Sequence, residues 1–135
     1  MVVDASVVVK WYVPERDHEP ARTIRDEYVN GQHSLAAPSL LPFEVVNALR
    51  YSDPVDDESV LTVAETLPQY GIDLVSFDRI QDVAAIALDA DITVFEAAYV
   101  ALAEQLDAPG FTADEWLLDA LEGSGYDRLV HVRTY

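Results

Sequence analysis

The sequence predicts an α/β fold: a three-layer α/β/α sandwich around a central parallel sheet of about five strands. Three observations predict it. Short apolar, β-branched runs recur along the 135 residues; segments with helical spacing fill every gap between them; and Asp, Pro, Gly and Ser punctuate the junctions. Strands that alternate with helices pair in parallel, and the helices then cover both faces of the sheet. With 50% hydrophobic residues, the chain fits a single domain, residues 1–135, able to bury roughly two thirds of its unfolded surface in one core.

The first strand is Val2 to Asp4, an apolar run too short for a helix and ended by an acid. The other strands are Ser34 to Ala37, Asp73 to Ser76, Gly110 to Ala113 and Leu129 to Val132. Helical spacing places helices at Ser6 to Val13, Glu19 to Gly31, Ser39 to Tyr51, Asp57 to Tyr70, Asp78 to Ala90, Val94 to Leu106 and Glu115 to Glu122. The most polar stretch, SDPVDDES over residues 52–59, reads as a turn entering a helix. No internal repeat or low-complexity tract interrupts this order.

Composition narrows the setting. The absence of Cys excludes a disulfide framework and a thiolate metal site, and favours a cytoplasmic home. The N-terminus shows no basic leader, and Asp4 and Lys10 break its apolar stretch, so no signal peptide is expected. The longest apolar region, Val83 to Leu106, carries Asp89, Asp91, Glu96 and Glu104, which excludes a membrane span. With 25 acids and 8 bases, the net charge is −17. Such a surface repels phosphate backbones at ordinary ionic strength. Lys10 is the only lysine, and this pattern is the one expected of a halophilic protein from a salt-loaded cytoplasm. There the Debye length falls to about 3 Å and the repulsion is largely screened.

A parallel sheet sends the C-terminal ends of all its strands to one edge, where open α/β folds bind ligands. Four acids stand near that edge. Asp4 ends the first strand in DASVVVKW, where it is also a favoured helix N-cap. Glu44 lies in PSLLPFEVVNAL, a helix apolar on nearly every side and expected to be largely buried. Glu44 and Asn47 share one face of it, a stripe narrow for a solvent face. Glu96, in TVFEAAYVALAE, follows Thr93 at the spacing of a capping box. Asp114, in FTADEWL, follows Thr112 by two residues and is again placed to cap a helix. Each acid has a local explanation, yet all four fall at the start of an element that follows a strand, or close to it, so all four can project over one edge of the sheet. Two carboxylates about 4 Å apart repel by roughly 4 kcal/mol at an effective dielectric of 20, so a cluster calls for protons or cations. Oxygen ligands without His or Cys select Mg²⁺ or Mn²⁺, metals that activate water and bind phosphate oxygens.

Taken in order and spacing, DASVVVKW, PSLLPFEVVNAL, TVFEAAYVALAE and FTADEWL resemble the four acidic motifs of PIN-domain nucleases, in particular the VapC toxins of VapBC toxin-antitoxin modules. The resemblance covers essentially the whole chain. It implies a Mg²⁺- or Mn²⁺-dependent endoribonuclease on a parallel α/β/α sandwich, usually a homodimer and held inactive by a VapB antitoxin. By motif position, Asp4, Glu44, Glu96 and Asp114 form the acidic quartet. The resemblance implies Asp4 and Asp114 as the direct metal ligands, with Glu44 and Glu96 binding directly or through water and helping to orient the attacking water. Ser6, Asn47 and Thr112 match supporting polar positions, whereas His18, His33 and His131 match none and read as surface or strand-end residues.

Two departures stand out. The third acid, most often Asp in that family, is Glu96 here, with a methylene that lets it reach further or fold back on Thr93. The basic complement is thin: Lys10, Arg16 and Arg50 are the only nearby candidates for phosphate contact. A receiver domain would want adjacent acids after the first strand and a lysine after the last, and a dehalogenase-type phosphatase a second Asp where Ser6 stands. The remaining rival is a PIN-like binding or scaffold protein that no longer cleaves. Leu40, Leu41, Phe43, Leu61, Val63 and Leu67 form an apolar patch expected to mediate the homodimer.

Overall fold

The computed structural model of the chain describes residues 1–53 and 55–135. Five short parallel strands form one sheet: β1 (Val2–Val3), β2 (Ala36–Pro38), β3 (Asp73–Val75), β4 (Gly110–Thr112) and β5 (Leu129–His131). Their spatial order is β3-β2-β1-β4-β5. The chain therefore builds outward from β1 in one direction, then returns to add β4 and β5 on its other side. The reversal puts the topological switch point between β1 and β4, the place where such sheets open a crevice beyond their strand ends. Val2 pairs with Gly110 and Val3 with Phe111, so Asp4 and Thr112 leave the sheet side by side.

The helices are α1 (Ala5–Val9), α2 (His18–Val29), α3 (Leu41–Arg50), α4 (Asp57–Thr66), α5 (Ile80–Ala90), α6 (Val94–Leu106) and α7 (Glu115–Leu121). All the expected strands and helices are present, most with shifted ends. The helix expected from Asp57 to Tyr70 gives way after Thr66 to a 3₁₀ turn over Leu67–Tyr70, where Pro68 offers no N–H to continue an α-helix. The helix expected from Ser6 to Val13 ends at Val9 and unwinds through a turn. Within the polar segment 52–59, Pro54 lies outside the described residues; a turn covers 51–53 and α4 starts at Asp57.

The core is built on β1 and α1, where Val2, Val3, Val7 and Val8 are fully buried, together with Leu41, Val45 and Leu49 of α3 and Tyr99 and Leu102 of α6. Helix α6 is buried nearly all round, and small residues let it lie close to α5: Ala97 and Ala98 join Val83 and Ala87 in a separate apolar cluster. At Gly110 a Cβ would stand 2.3 Å from Leu129 Cδ2, so a larger residue would force that side chain to move. Three aspartates, Asp17, Asp91 and Asp107, adopt left-handed backbone with φ of 61°, 54° and 49°. Asp91 closes α5 and Asp107 closes α6.

Two expectations about burial need correction. Helix α3 is not buried on nearly every side: Phe43 is 78% exposed and Asn47 lies open to solvent. A ten-residue helix on a small sheet presents only one stripe to the core, and Leu41, Val45 and Leu49 fill it. The same geometry divides the expected apolar patch. Leu41, Val63 and Leu67 belong to the core, which leaves Phe43 and Leu61, 71% exposed, with Leu40 half-buried.

Candidate active site

A cleft of about 840 Å³ opens at the C-terminal edge of the sheet, and Asp4, Glu44, Glu96 and Asp114 all line it, together with Ser6 and Asn47. The four acids arrive differently. Asp4 continues β1 and Asp114 follows β4, whereas Glu44 projects from the first turn of α3. Glu96 comes from α6, which follows helix α5 rather than a strand.

Asp4 occupies the N-cap position of α1, yet its side chain makes no capping bond. Both bonds to its Oδ2 come from hydroxyls, Ser6 Oγ at 2.7 Å and Thr112 Oγ1 at 2.6 Å. Each hydroxyl in turn accepts a backbone N–H from the loop after β4, Ala113 to Ser6 Oγ and Asp114 to Thr112 Oγ1. A hydroxyl has one proton to give. Accepting from an amide leaves that proton for Asp4, so the arrangement is built to receive a carboxylate. Burial opposes this and pushes the Asp4 carboxyl up from its ordinary value, the two hydroxyl bonds pull it down, and the charge of Asp114 adds to the rise.

Glu44 is held from far along the chain. Tyr99, buried in α6, donates its hydroxyl to Glu44 Oε2 at 2.5 Å. Burial raises the Glu44 carboxyl, the Tyr99 bond resists, and the charges of Asp4 and Glu96 add to the rise. The Tyr99 hydroxyl is itself pushed up, first by burial and then by the Asp4 charge and its bond to Glu44. Tyr99 is the site residue that motif reading passes over. Its signal was its position, three residues after Glu96 on the same helix face.

The other two acids do cap helices. Glu96 completes a reciprocal capping box: its Oε2 accepts Thr93 N at 2.7 Å and Thr93 Oγ1 at 2.8 Å, and its N–H donates to Thr93 Oγ1 at 3.1 Å. The extra methylene of Glu96 is thus spent folding back. Asp114 Oδ1 accepts the N–H groups of Trp116 and Leu117 at 2.9 and 3.2 Å.

The side chains fit a hard divalent cation in kind. Among the described residues, protein donors bond to only one oxygen of each of the four carboxylates, and no basic side chain pairs with any of them. Oxygen donors with uncompensated negative charge and supporting hydroxyls suit Mg²⁺ or Mn²⁺. They do not converge on a point: among the described residues no three carboxylate or imidazole groups stand together closely enough to grip one ion. The capping bonds of Glu96 and Asp114 account for this, since they turn both toward helix ends.

The expected supporting residues divide. Ser6 and Thr112 hold Asp4, and Thr112 is fully buried behind it. Asn47 lines the cleft from an exposed position. The expected phosphate contacts are placed differently from one another. Lys10 lines the cleft, but it is 9% exposed and paired with Glu15 at 2.9 Å. Arg50 lies outside the cleft lining with its guanidinium 5.5 Å from the Tyr51 ring centre. Arg16 does line the cleft, exposed and 3.6 Å from both Asp17 and Glu115. His131 ends β5 as expected and also lines the cleft. His33 is instead buried at both ring nitrogens and stacked on Tyr28.

Comparison with known proteins adds three findings. The family described as the PIN domain matches residues 1–121. The chain is 32% identical over 125 residues to Ribonuclease VapC3 of Pyrobaculum aerophilum, covering 88% of this chain and 92% of that protein. Its fold is similar to the crystal structure of PAE2754 from Pyrobaculum aerophilum, with a TM-score of 0.69 and 21% identity over 98% of this chain and 83% of that one.

Proposed function

The chain belongs to the PIN-domain family, and from that premise we propose that it is a Mg²⁺- or Mn²⁺-dependent endoribonuclease, the toxin of a VapBC-type pair. The observation that carries the reading is the cleft itself: four carboxylates without a basic partner, at the switch point of a parallel sheet. Asp4 and Asp114 would hold the metal, with Glu44 and Glu96 binding it directly or through water. The metal, when bound, supplies charge to the scissile phosphate and lowers the pKa of the attacking water. The chain's own part is to favour the ionised form of Asp4 through Ser6 and Thr112 against the effect of its burial, and to fix Glu44 through Tyr99 so that it can orient that water.

The test is cleavage of an RNA oligonucleotide with and without EDTA, by the wild type and by Asp4→Asn and Asp114→Asn. Cleavage confined to Mg²⁺ or Mn²⁺ and lost in both variants is the expected result. Undiminished cleavage in EDTA, or by Asp4→Asn, would overturn it. One observation favours the rival reading of a non-cleaving scaffold, namely the Glu96 side chain locked in its capping box. A calorimetric titration with Mn²⁺ separates the two, since a scaffold without a metal site gives no binding heat.

The partners follow from the same reading. An acidic cleft suits an antitoxin segment that inserts an Arg or Lys among the carboxylates. The exposed Phe43 and Leu61 are what remains to support a homodimer, which light scattering at micromolar concentration would detect. No helix among the described residues is long and apolar enough to cross a membrane. The charge of −17 fits work in a salt-loaded cytoplasm.

A further inference from the structure

Two aromatic side chains stand in the cleft lining without a packing role. Trp116 is 85% exposed and Phe95 64% exposed, and both border the acids. Each rides in the first turn of a helix that an acid secures. Phe95 immediately precedes Glu96 in α6, and the Trp116 N–H donates to Asp114 Oδ1 at 2.9 Å. The backbone that carries each ring is therefore anchored beside the carboxylates, while the burial that normally rewards an aromatic residue is forgone.

Charge gives a polyanion little purchase here. Lys10 is committed to Glu15, and Arg16 lies between Asp17 and Glu115. Beyond the scissile phosphate, a nucleic-acid strand crossing this cleft finds few unpaired cations among the described residues of its lining, and every base offers a π-face that stacks on an aromatic ring whatever its sequence. We infer that Phe95 and Trp116 are base-stacking residues, on which bases near the scissile phosphate rest while that phosphate lies over the acids. This rests on the ribonuclease reading above and adds to it the residues that hold the substrate.

The protein carries its own reporter. It has two tryptophans; Trp11 is 3% exposed and Trp116 open, so an RNA that stacks on Trp116 quenches the exposed component of the emission. Titration of the wild type with a single-stranded oligoribonucleotide in EDTA should quench that component, and a basic peptide of equal length should not. Trp116→Ala and Phe95→Ala should each raise KM, and weaken binding of a fluorescein-labelled oligonucleotide, by roughly tenfold or more. Their kcat should stay near the wild-type value, and Trp116→Phe should restore most of the affinity. Wild-type cleavage that is unchanged in both alanine variants overturns the stacking assignment and leaves the nuclease standing. Quenching by RNA without cleavage in any metal does the reverse. Quenching by the peptide alone would assign the rim to a protein partner and overturn the proposal.

Discussion

Asp4 and Glu44 differ from Glu96 and Asp114 in who holds them. The first two are gripped by hydroxyls, each including one from a distant part of the chain: Thr112, 108 residues from Asp4 and joined there by the nearby Ser6, and Tyr99, 55 from Glu44. The second two are gripped by helix N-termini two or three residues away. A capping acid stabilises its helix whether or not the site works. A desolvated acid held by hydroxyls stabilises nothing locally, and burial raises the carboxyl of both Asp4 and Glu44. On the proposed function, the first pair is explained by the site alone, and the second serves fold and site at once.

Replacing Asp4 tests that distinction most severely. Asp4→Asn should lower cleavage by more than about a hundredfold, beyond the usual effect of losing a group that only supports a metal ligand. It should also make the metal-free protein more stable at neutral pH. A carboxyl whose folded-state pKa is raised adds stability while protonated, below its ordinary value of 3.8, and loses that contribution as pH rises through the folded-state value. At pH 7 this acid therefore weighs against folding, and Asn removes that cost. The gain in unfolding temperature should shrink as pH falls toward 3.8; a variant less stable than wild type at pH 7 would break the comparison.

Tyr99→Phe keeps the buried ring and removes only the bond to Glu44. Cleavage should drop about tenfold, the low end for losing a group that orients a metal-site carboxylate, with kcat rather than KM affected. An unchanged kcat would mean that Glu44 does not depend on its distant partner. For the capping pair the expectation reverses. Thr93→Ala should cost about 1 kcal/mol of stability, or about 4 °C in unfolding temperature. Its cleavage rate should move by less than about threefold, equivalent to about 0.6 kcal/mol. The smallest effect belongs to salt. Raising KCl from about 0.2 to 2 M contracts the Debye length to a few ångströms, so unfolding temperature should rise modestly and cleavage should hold or increase. A flat unfolding temperature with steeply falling cleavage would remove salt adaptation as the cause of the acidity.

The same division decides how much could be read from the sequence. Local relations were legible: the strand and helix order, the Thr93–Glu96 capping box and the Asp114 cap each depend on residues within a few positions. Helix α6 shows the expected bounds, Val94–Leu106, because a capping box starts it and its apolar run is continuous. Relations across the fold were less legible. Nothing in the spacing of Tyr99 says that its hydroxyl meets Glu44, and nothing around Lys10 says that Glu15 will claim it. The apolar patch failed for the same reason: Leu41 and Phe43 read alike in a sequence, and only the position of the sheet decides that one is core and the other surface.

The left-handed aspartates at the ends of α5 and α6 have a bearing on how this surface came about. At a helix end with positive φ, backbone sterics favour glycine, and the partial negative charge of the last carbonyls disfavours an acid. Asp107 gains an ion pair with Arg128 at 2.5 Å, whereas Asp91 has no basic partner among the described residues. At residue 91 both local effects weigh against the acid, and what it adds in return is surface charge. Glycine at that position is the change a laboratory search for robustness in dilute buffer would find early, and the one a lineage dependent on its acidic coat would discard.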